Sequence, residues 1–477
     1  MAGLILAAAC RRDRFLLPRQ HLAIPVRHAA RRPPEAKLAP ELRRSLPPSG
    51  GARARPVLVD LAVQVDLPEL ARLLARRGAG RLARRELVIA ALAAVARQSQ
   101  GDLRPFLERL RRAGRIGRYR GFSVVNRLLV EATPAGIREI ARRPEVAAIA
   151  GETAPAETAL AFDDAAPGAA GAERTSWAIA ATGADRAWRR GLDGRGVVVG
   201  AIDSGASAQH EQLRGNFRGG PRSWLDPAGG SAAPRDTRFG HGTGVLSCAV
   251  GQNRAGMTLG MAPAARWVAC AGLPEGRYDN VLLTECADWM LSTARPDVLI
   301  GAWLLPADGC DRSLAGIVDA WRAAEILPVF AAGNRGPAPA TDRSPANYDR
   351  LFPGRASALS VGGTTRAGAL FAQTSRGPSR CGGTVFPRLV APAEDLVTAF
   401  PLAPSTYVRA QGTSFAAGLA AGAAAILLSS RPDSSVTELE EALGGRAGAS
   451  GASRLDVPAA LARLAGRRSR VAHATDR

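Results

Sequence analysis

An acid, a base, an amide donor and a hydroxyl follow one another along this 477-residue chain, each inside a short block that contains glycine. They are Asp203, His241, Asn334 and Ser414. Serine attacks poorly unless an imidazole accepts its proton, and a carboxylate is needed to hold that imidazole in the right tautomer. An amide side chain and a backbone N–H can supply preset donors for the oxyanion that forms. The set therefore indicates nucleophilic hydrolysis.

Taken one at a time, these residues have simpler structural explanations. Asp203 follows the apolar run Val197–Ile202 and could serve as a turn or cap residue. His241 could be a structural histidine, Asn334 beside a glycine an ordinary turn, and Ser414 a helix N-cap. The functional interpretation therefore depends on all four occurring together.

The residues around these groups resemble the subtilisin-like serine proteases, the peptidase S8 family. The flanks that carry the resemblance are Gly200–Gly205, Gly240–Thr243, Ala331–Asn334 and Gly412–Ala417. The chain order Asp, His, Ser matches the family as well. Two further stretches, Arg266–Cys270 and Val281–Leu291, are similar to its bacillopeptidase F-like branch. The resemblance covers about residues 177–464, and a weaker similarity extends over residues 56–151.

This resemblance implies a serine endopeptidase that hydrolyses peptide bonds through an Asp-His-Ser triad and an acyl-enzyme, made as an autoinhibited zymogen. Ser414 would be the nucleophile, His241 the general base and acid, and Asp203 its orienting partner. Asn334 would contribute to the oxyanion hole.

The strand expected to bind substrate departs from the family pattern. It carries Ala302, Trp303 and Leu304, and the family has a glycine at the position of Leu304 that leaves room for the primary specificity pocket. Leu304 and Leu305 would fill that room. The alternative hypothesis is therefore a degenerate subtilisin-like protein whose obstructed cleft makes it mainly a binding scaffold. The four filled catalytic positions favour the enzyme.

Other departures lie beside the catalytic positions and at a calcium site of the family. Gly244 replaces the histidine that usually follows His-Gly-Thr, and Phe415–Leu419, with Gly418, replaces Met-Ala-Ala-Pro-His. These changes remove no catalytic group, but they bear on efficiency. Gln212 replaces an aspartate that helps bind calcium in many relatives. We expect no required cofactor and assign no metal ligands, while a structural calcium ion is left open.

Short apolar runs alternate with helical patterns throughout the catalytic part. The strand candidates are Val197–Ile202, Arg266–Ala271, Val298–Ala302, Leu327–Ala331 and Ala358–Val361. The helix candidates are Gly242–Val250, Asp279–Ser292, Leu314–Glu325 and Ser414–Ser430. Such alternation is typical of a parallel sheet covered on both faces. The expected fold class is α/β, a subtilisin-like parallel β-sheet flanked by helices, with Asp203 at a strand end.

The region before the catalytic part is predicted to form a separate small α+β domain. The strand-like segments are Val57–Val63, Phe122–Val130 and Val146–Ala150. The helical segments are Pro68–Gln98, with a break expected at Gly78 or Gly80, Leu103–Ala113 and Pro134–Arg142. This β-α-β-α-β order looks like the family's inhibitor-type propeptide. The alternative is an unrelated α+β domain that precedes a protease.

Composition suggests five parts along the chain. They are a leader or disordered arm (1–55), a propeptide-like domain (56–151), a linker (152–173), a catalytic domain (174–466) and a basic tail (467–477). The linker is rich in alanine, proline and acidic residues, as a cleavable segment would be. We expect cleavage between Gly151 and Trp177.

The net charge of +21 is concentrated at the front of the chain. Residues 1–150 hold 30 basic and 12 acidic side chains, and Lys37 is the one lysine among them. Aromatic residues are not interleaved with these arginines as they are on surfaces that stack nucleic-acid bases. We therefore expect no nucleic-acid partner. The expected partners are protein or peptide substrates and the chain's own propeptide as an intramolecular inhibitor, in a monomeric protein.

The cysteines and the apolar pattern bear on the cellular compartment. The cysteines are Cys10, Cys248, Cys270, Cys286, Cys310 and Cys381. Their spacings match no zinc site, and both disulfides and buried free thiols are compatible with them, with Cys248 expected in the core. No apolar run is judged to reach the ~18–20 residues of a membrane span, so no transmembrane anchor is expected. The apolar start, residues 3–10, lacks the basic residues of a clear signal peptide. A secreted, periplasmic or cell-envelope location is expected from the family resemblance.

Overall fold

The computed structural model describes residues 16–17, 22–47, 53–152, 156–157, 163–167, 175–253, 255–352, 355–444 and 451–475. These residues form two compact units. The smaller consists of Met1–Ala79 and Glu86–Gly151, and the larger of Gly80–Arg85 and Glu152–Arg477. Most of the predicted leader before residue 22 and the end of the predicted basic tail lie outside the described residues.

The helices and strands of the smaller unit lie between residues 16 and 151. Its strands are β1 (Leu16–Leu17), β2 (Leu22–Ala23), β3 (Val26–His28), β4 (Arg55–Leu61), β5 (Val63–Val65), β6 (Ile116–Phe122), β7 (Arg127–Ala132) and β8 (Val146–Gly151). Its helices are α1 (Pro40–Ser45), α2 (Leu67–Arg76), α3 (Arg81–Arg112, of which the first residues belong to the larger unit) and α4 (Pro134–Ala141).

A four-stranded antiparallel sheet in the order β6-β7-β4-β8 forms the base of this unit. Along β7 buried and half-buried residues alternate, so one face of the sheet is apolar. Val59, Leu128 and Val130 on that face share a buried cluster with Leu107 of α3 and Ile137 of α4. This segment therefore has the expected α+β fold class.

Two predicted boundaries in this unit are wrong. Leu103–Ala113 is not a separate helix, because Val95, Leu103 and Leu107 keep the spacing of one buried helical face through the polar stretch between them. The segment Phe122–Val130 is not one strand but a hairpin in which Phe122 at the end of β6 pairs with the start of β7. The predicted helix break is confirmed at Gly78, which lies between α2 and α3 with φ of +66°.

The larger unit contains the remaining elements. Its strands are β9 (Ala156–Glu157), β10 (Asp163–Pro167), β11 (Val198–Asp203), β12 (Trp224–Leu225), β13 (Arg266–Ala271), β14 (Arg277–Tyr278), β15 (Val298–Gly301), β16 (Leu327–Ala331), β17 (Asp349–Phe352), β18 (Arg355–Ala356), β19 (Leu359–Thr364), β20 (Leu389–Pro392), β21 (Leu396–Ala399), β22 (Tyr407–Gln411) and β23 (Ser453–Arg454). Its helices are α5 (Trp177–Thr182), α6 (Ala184–Trp188), α7 (Glu211–Arg214), α8 (His241–Val250), α9 (Asn280–Trp289), α10 (Ala315–Ala323), α11 (Thr413–Ser430), α12 (Val436–Gly444) and α13 (Val457–Thr475).

An eight-stranded sheet in the order β12-β13-β11-β15-β16-β19-β20-β23 organises the larger unit, and all of its pairings are parallel. Its inner strands are buried over nearly their whole length, which explains why they occur in the sequence as continuous apolar runs. The structure thus confirms the expected α/β class. Strand β11 lies inside the sheet between β13 and β15, and Asp203 is its last residue.

Helix α11 lies in the hydrophobic core of the larger unit and packs closely against α8. A Cβ atom at Gly418 of α11 would lie 2.5 Å from the carbonyl oxygen of Val245 in α8, so this contact requires glycine. Within the described residues, α11 is the helix long and apolar enough to cross a membrane, with a mean hydropathy of 1.5 over 18 residues, and 89% of it is buried. The expectation that no apolar run reaches that length is therefore wrong, because a helix surrounded by protein is apolar on every side.

Two disulfides connect elements of the larger unit. Cys270 of β13 is bonded to Cys286 of α9, and Cys310 is bonded to Cys381. The sequence left this pairing open. Cys248 is a free cysteine buried in α8, as expected, and burial raises the pKa of its thiol to about 12. It therefore remains protonated at neutral pH and behaves as a core residue.

Two short strands of the predicted linker belong to the larger unit and pair with other strands in it. Strand β9 is antiparallel to β14, and β10 is antiparallel to β22. Both partner strands lie near the candidate catalytic positions. Strand β14 follows a loop in which the Leu273 amide donates to the carbonyl of Asp203, and β22 ends at Gln411, three residues before Ser414.

Candidate active site

A carboxylate and an imidazole meet at the carboxyl end of β11. The carboxylate oxygen Asp203 Oδ1 lies 2.8 Å from His241 Nδ1 and also accepts a hydrogen bond from the Ser204 amide at 2.7 Å. Both side chains are buried. With Nδ1–H directed at the carboxylate, the basic lone pair of the neutral imidazole is on Nε2. The pair can therefore accept a proton at one ring nitrogen while the carboxylate stabilises the resulting imidazolium.

Two glycines allow His241 to start α8 so close to β11. Gly240 has φ of +69°, and a Cβ there would lie 2.6 Å from both the Phe400 ring and Pro401. A Cβ at Gly242 would lie 2.0 Å from the carbonyl oxygen of Gly205 and 2.9 Å from Asp203 Cβ. Gly242 is thus required by close packing against the loop that follows β11, and Gly240 by its positive φ and its contact with Phe400 and Pro401.

The candidate nucleophile, Ser414, is the second residue of α11. Gly412, two residues earlier, has φ of +131°, a value that favours glycine. Ser414 Oγ donates to the carbonyl oxygen of Ala302 at 3.4 Å. The following residue, Phe415, has its ring centroid 6.0 Å from that of His241. The starts of α8 and α11 therefore converge, and the amides of the first turn of α11 have no carbonyl partners within that helix.

Asn334 lies beyond β16, next to the start of α11. Its Oδ1 accepts hydrogen bonds from the Thr413 amide at 3.0 Å and from Thr413 Oγ1 at 2.9 Å. These two bonds fix which way the amide group faces, and Nδ2 lies beside Gly412. A donor held in this orientation next to the amide of Ser414 suits the stabilisation of an oxyanion.

The departures at Gly244 and Phe415 are sterically related. A Cβ at Gly244 would lie 3.2 Å from the Phe415 ring and 3.5 Å from Thr398 Oγ1. The phenyl ring therefore occupies space beside the backbone of residue 244 that a larger side chain would need. These two unusual residues are best understood as one change in packing between α8 and α11.

The segment predicted as the substrate-binding strand, Ala302–Leu304, is not a strand: it follows β15, which ends at Gly301, and its side chains are buried. Trp303 is buried, and its indole N–H donates to the carbonyl of Ile202 at 2.8 Å, so its side chain belongs to the core. Leu304 is 2% exposed, and a Cβ added to Gly333 would lie 2.6 Å from Leu304 Cδ1. The leucine side chain therefore lies against the residue that precedes Asn334.

The side-chain amide of Gln212, which replaces an acidic residue of the family pattern, bonds to two groups of the protein. Its Nε2 donates to the carbonyl oxygen of Met257 at 3.2 Å and contacts Tyr407 Oη at 3.3 Å. Among the described residues, no group of three or more His, Cys, Asp or Glu side chains could hold a metal ion. We therefore assign no metal to this position.

Sequence reasoning missed Asp236, whose carboxylate contacts Ser204 and Thr243 beside the acid–base pair. It lies in an irregular segment rich in proline and arginine, and nothing in that pattern indicates a role. Its one signal is its position, five residues before His241.

The carboxylate–imidazole pair at the end of a parallel strand, with a serine at the start of a helix that packs against α8, is compatible with a serine hydrolase. Comparison with known proteins agrees with this class. The profile of the subtilase family matches residues 194–461, more than half of the chain. The chain belongs to the subtilase family and is a serine-type endopeptidase by class.

Individual relatives are similar at modest identity. Bacillopeptidase F of Bacillus subtilis (strain 168) is 28% identical over 394 residues, which cover 76% of this chain and 26% of that protein. Subtilisin BL and Subtilisin Savinase, both of Lederbergia lenta, are each 29% identical and cover 60% of this chain and 95% of their own lengths. The chain thus spans a minor part of the first relative and nearly all of the two subtilisins.

Proposed function

We propose that this chain hydrolyses peptide bonds with Ser414 as nucleophile, His241 as general base and acid, and Asp203 as the residue that orients the imidazole. The observation that carries the proposal is the 2.8 Å contact between Asp203 Oδ1 and His241 Nδ1 at the end of β11. The position of Ser414 at the start of α11, which packs against α8, supports the assignment of the nucleophile.

The proposed reaction follows from these positions. Ser414 Oγ attacks the carbonyl carbon of the scissile bond while His241 Nε2 takes its proton, and the imidazolium is stabilised by Asp203. The oxyanion accepts hydrogen bonds from the Ser414 amide and Asn334 Nδ2. His241 then protonates the leaving amine. Water, deprotonated by the same imidazole, hydrolyses the acyl-enzyme and frees Ser414.

We also propose that residues 56–151 act as a propeptide that inhibits and then leaves the catalytic part. Support comes from the α+β fold of that segment and from the linker strands β9 and β10. Strand β9 pairs with β14, and β10 pairs with β22. The chain continues from β22 into Gly412 and Ser414. The bonds between Glu157 and Asp163 join these two strands and are the ones we expect the enzyme to cut.

Substrate choice is proposed to differ from broad proteolysis. Leu304 packs against Gly333 where the resemblance places the floor of the specificity pocket. Peptides with a small residue before the scissile bond should therefore be cleaved best. The same observation favours the second candidate, a binding scaffold with an obstructed cleft.

The two disulfides support an oxidising compartment and hence export.

An active-site fluorophosphonate tests the proposed function. The full chain should be labelled on Ser414 and should release a new N-terminus that begins between Glu157 and Asp163. Ser414→Ala should abolish both, since the hydroxyl that is labelled and that attacks is removed. Ser430→Ala is the matched control, because that hydroxyl, also on α11, bonds to the carbonyl of Leu427. An unlabelled chain that still binds peptides would support the scaffold instead.

A further inference from the structure

A half-buried carboxylate, Asp236, lies beside the proposed acid–base pair and has no part in the chemistry above. It accepts four hydrogen bonds. Its Oδ1 accepts from Ser204 Oγ and the Thr237 amide, both at 2.8 Å. Its Oδ2 accepts from the Thr243 amide at 2.8 Å and from Thr243 Oγ1 at 2.7 Å. The donors come from the loop after β11, from the first turn of α8 and from its own segment.

The same donors continue to the acid–base pair. The Ser204 amide donates to Asp203 Oδ1 at 2.7 Å, and Ser204 Oγ accepts from the Gly242 amide at 3.1 Å. Thr243 Oγ1 accepts from the Ser207 amide at 3.0 Å. Asp236 therefore connects, through single residues, the strand end that carries the acid and the helix start that carries the base.

The bonds of Asp236 suit an ionised carboxylate. All four groups, which belong to three residues, donate, and only the ionised form has acceptor capacity at both oxygens without a proton of its own. Burial raises the pKa of Asp236 to about 6, the negative charge of Asp203 acts in the same direction, and the bonds from Thr243 and Ser204 oppose the rise. The group is thus mainly ionised at neutral pH. An asparagine at this position has the same shape, but its NH₂ group would face two of the donors.

We propose that Asp236 is a positioning residue, which ties the loop after β11 to the start of α8 and so sets the geometry between Asp203 and His241. The inference rests on the proposed function of that pair. It predicts an effect on the chemical step, because an error of about 1 Å in a catalytic group can cost about 10²-fold in rate.

The test compares Asp236→Asn with Asp226→Asn in the full chain. Asp226 lies in the same irregular segment, and its carboxylate accepts a hydrogen bond from the Ala228 amide within its own turn. Asp226→Asn is therefore a fair control, because it makes the same change of carboxylate to amide away from the acid–base pair. We expect Asp236→Asn to lower kcat per titrated active site by about 10²-fold with KM changed by roughly twofold or less. Asp226→Asn should leave both constants unchanged.

A second readout does not depend on activity. In the Ser414→Ala background, the low-field proton resonance of the His241 Nδ1–H group reports its bond to Asp203. Asp236→Asn should shift or broaden this resonance, and Asp226→Asn should not. If Asp236→Asn lowers only thermal stability and leaves kcat and the resonance unchanged, Asp236 is merely structural and the proposal is overturned.

Two smaller changes keep the test valid if Asp236→Asn does not fold. Thr243→Val and Ser204→Ala each remove one hydroxyl donor, and each should shift the same resonance by less than the full loss of the carboxylate. Wild-type spectra for both would overturn the proposal. If the fluorophosphonate does not label Ser414 in the full chain, the proposed function is contradicted. The role of Asp236 is then decided by the His241 resonance alone, which the Asp236→Asn change must shift or broaden.

Discussion

The two sides of the candidate site are held by different forces. On the acid–base side, Asp203, His241 and Asp236 are fixed by a continuous set of hydrogen bonds between β11, the irregular segment before α8, and α8 itself. On the substrate side, Leu304 and Gly333 are fixed by apolar packing. Hydrogen bonds demand particular partners and angles, whereas apolar packing accepts other shapes of similar volume. The chemistry is therefore the constrained feature of this protein, and selectivity is the adjustable one.

The largest effect is expected from a change on the acid–base side. Asp203→Asn should lower kcat by about 10⁴-fold, because an amide would hold the imidazole in the wrong tautomer while the geometry stays nearly intact. The measurement is kcat per fluorophosphonate-titrated site, with Asp226→Asn as the control for a lost carboxylate. A loss smaller than about tenfold would mean that His241 does not depend on this partner, and the proposed triad would be wrong.

A smaller effect is expected when the substrate side is opened. Leu304→Gly should raise kcat/KM for peptides with Phe or Leu before the scissile bond by roughly 5- to 150-fold relative to Ala, since overpacking of about 1–3 kcal/mol is removed. A peptide series differing only at that position measures it.

The control for this prediction must separate an opened pocket from a weakened fold. Leu439→Ala also removes a fully buried leucine, on α12, and should leave the ratio between Phe and Ala peptides unchanged. If the unaltered chain already cleaves after Phe as readily as after Ala, the obstruction does not exist.

The smallest expected effect concerns the packing between α8 and α11. Gly244→His should lower the free energy of unfolding by about 1–3 kcal/mol, because the new side chain meets the Phe415 ring. Phe415→Met should restore much of that loss in the double variant. Urea unfolding of the four proteins in the Ser414→Ala background gives the coupling energy. Strictly additive effects would show that the two departures are independent.

Much of the larger unit could be predicted from the sequence because its signals are local. Buried parallel strands such as β13 and β16 occur as short apolar runs, and their predicted bounds match those observed. The glycine blocks around His241 and Ser414 mark helix starts where the chain has positive φ or lies too close to its neighbours for a side chain. The smaller unit was predicted less well, since the polar middle of α3 hides a continuous buried face and the turn before β7 carries no glycine or proline.

By itself, the sequence determined the α/β class, the family and the identity of the candidate acid, base and nucleophile, since these depend on residue types within short segments. The tertiary structure alone decided which residues meet across long separations. It brought Asp236 to Ser204, 32 positions away, paired Cys310 with Cys381, and placed Phe415 against Gly244. Such contacts depend on how whole strands and helices pack, and close packing couples positions that no local pattern connects.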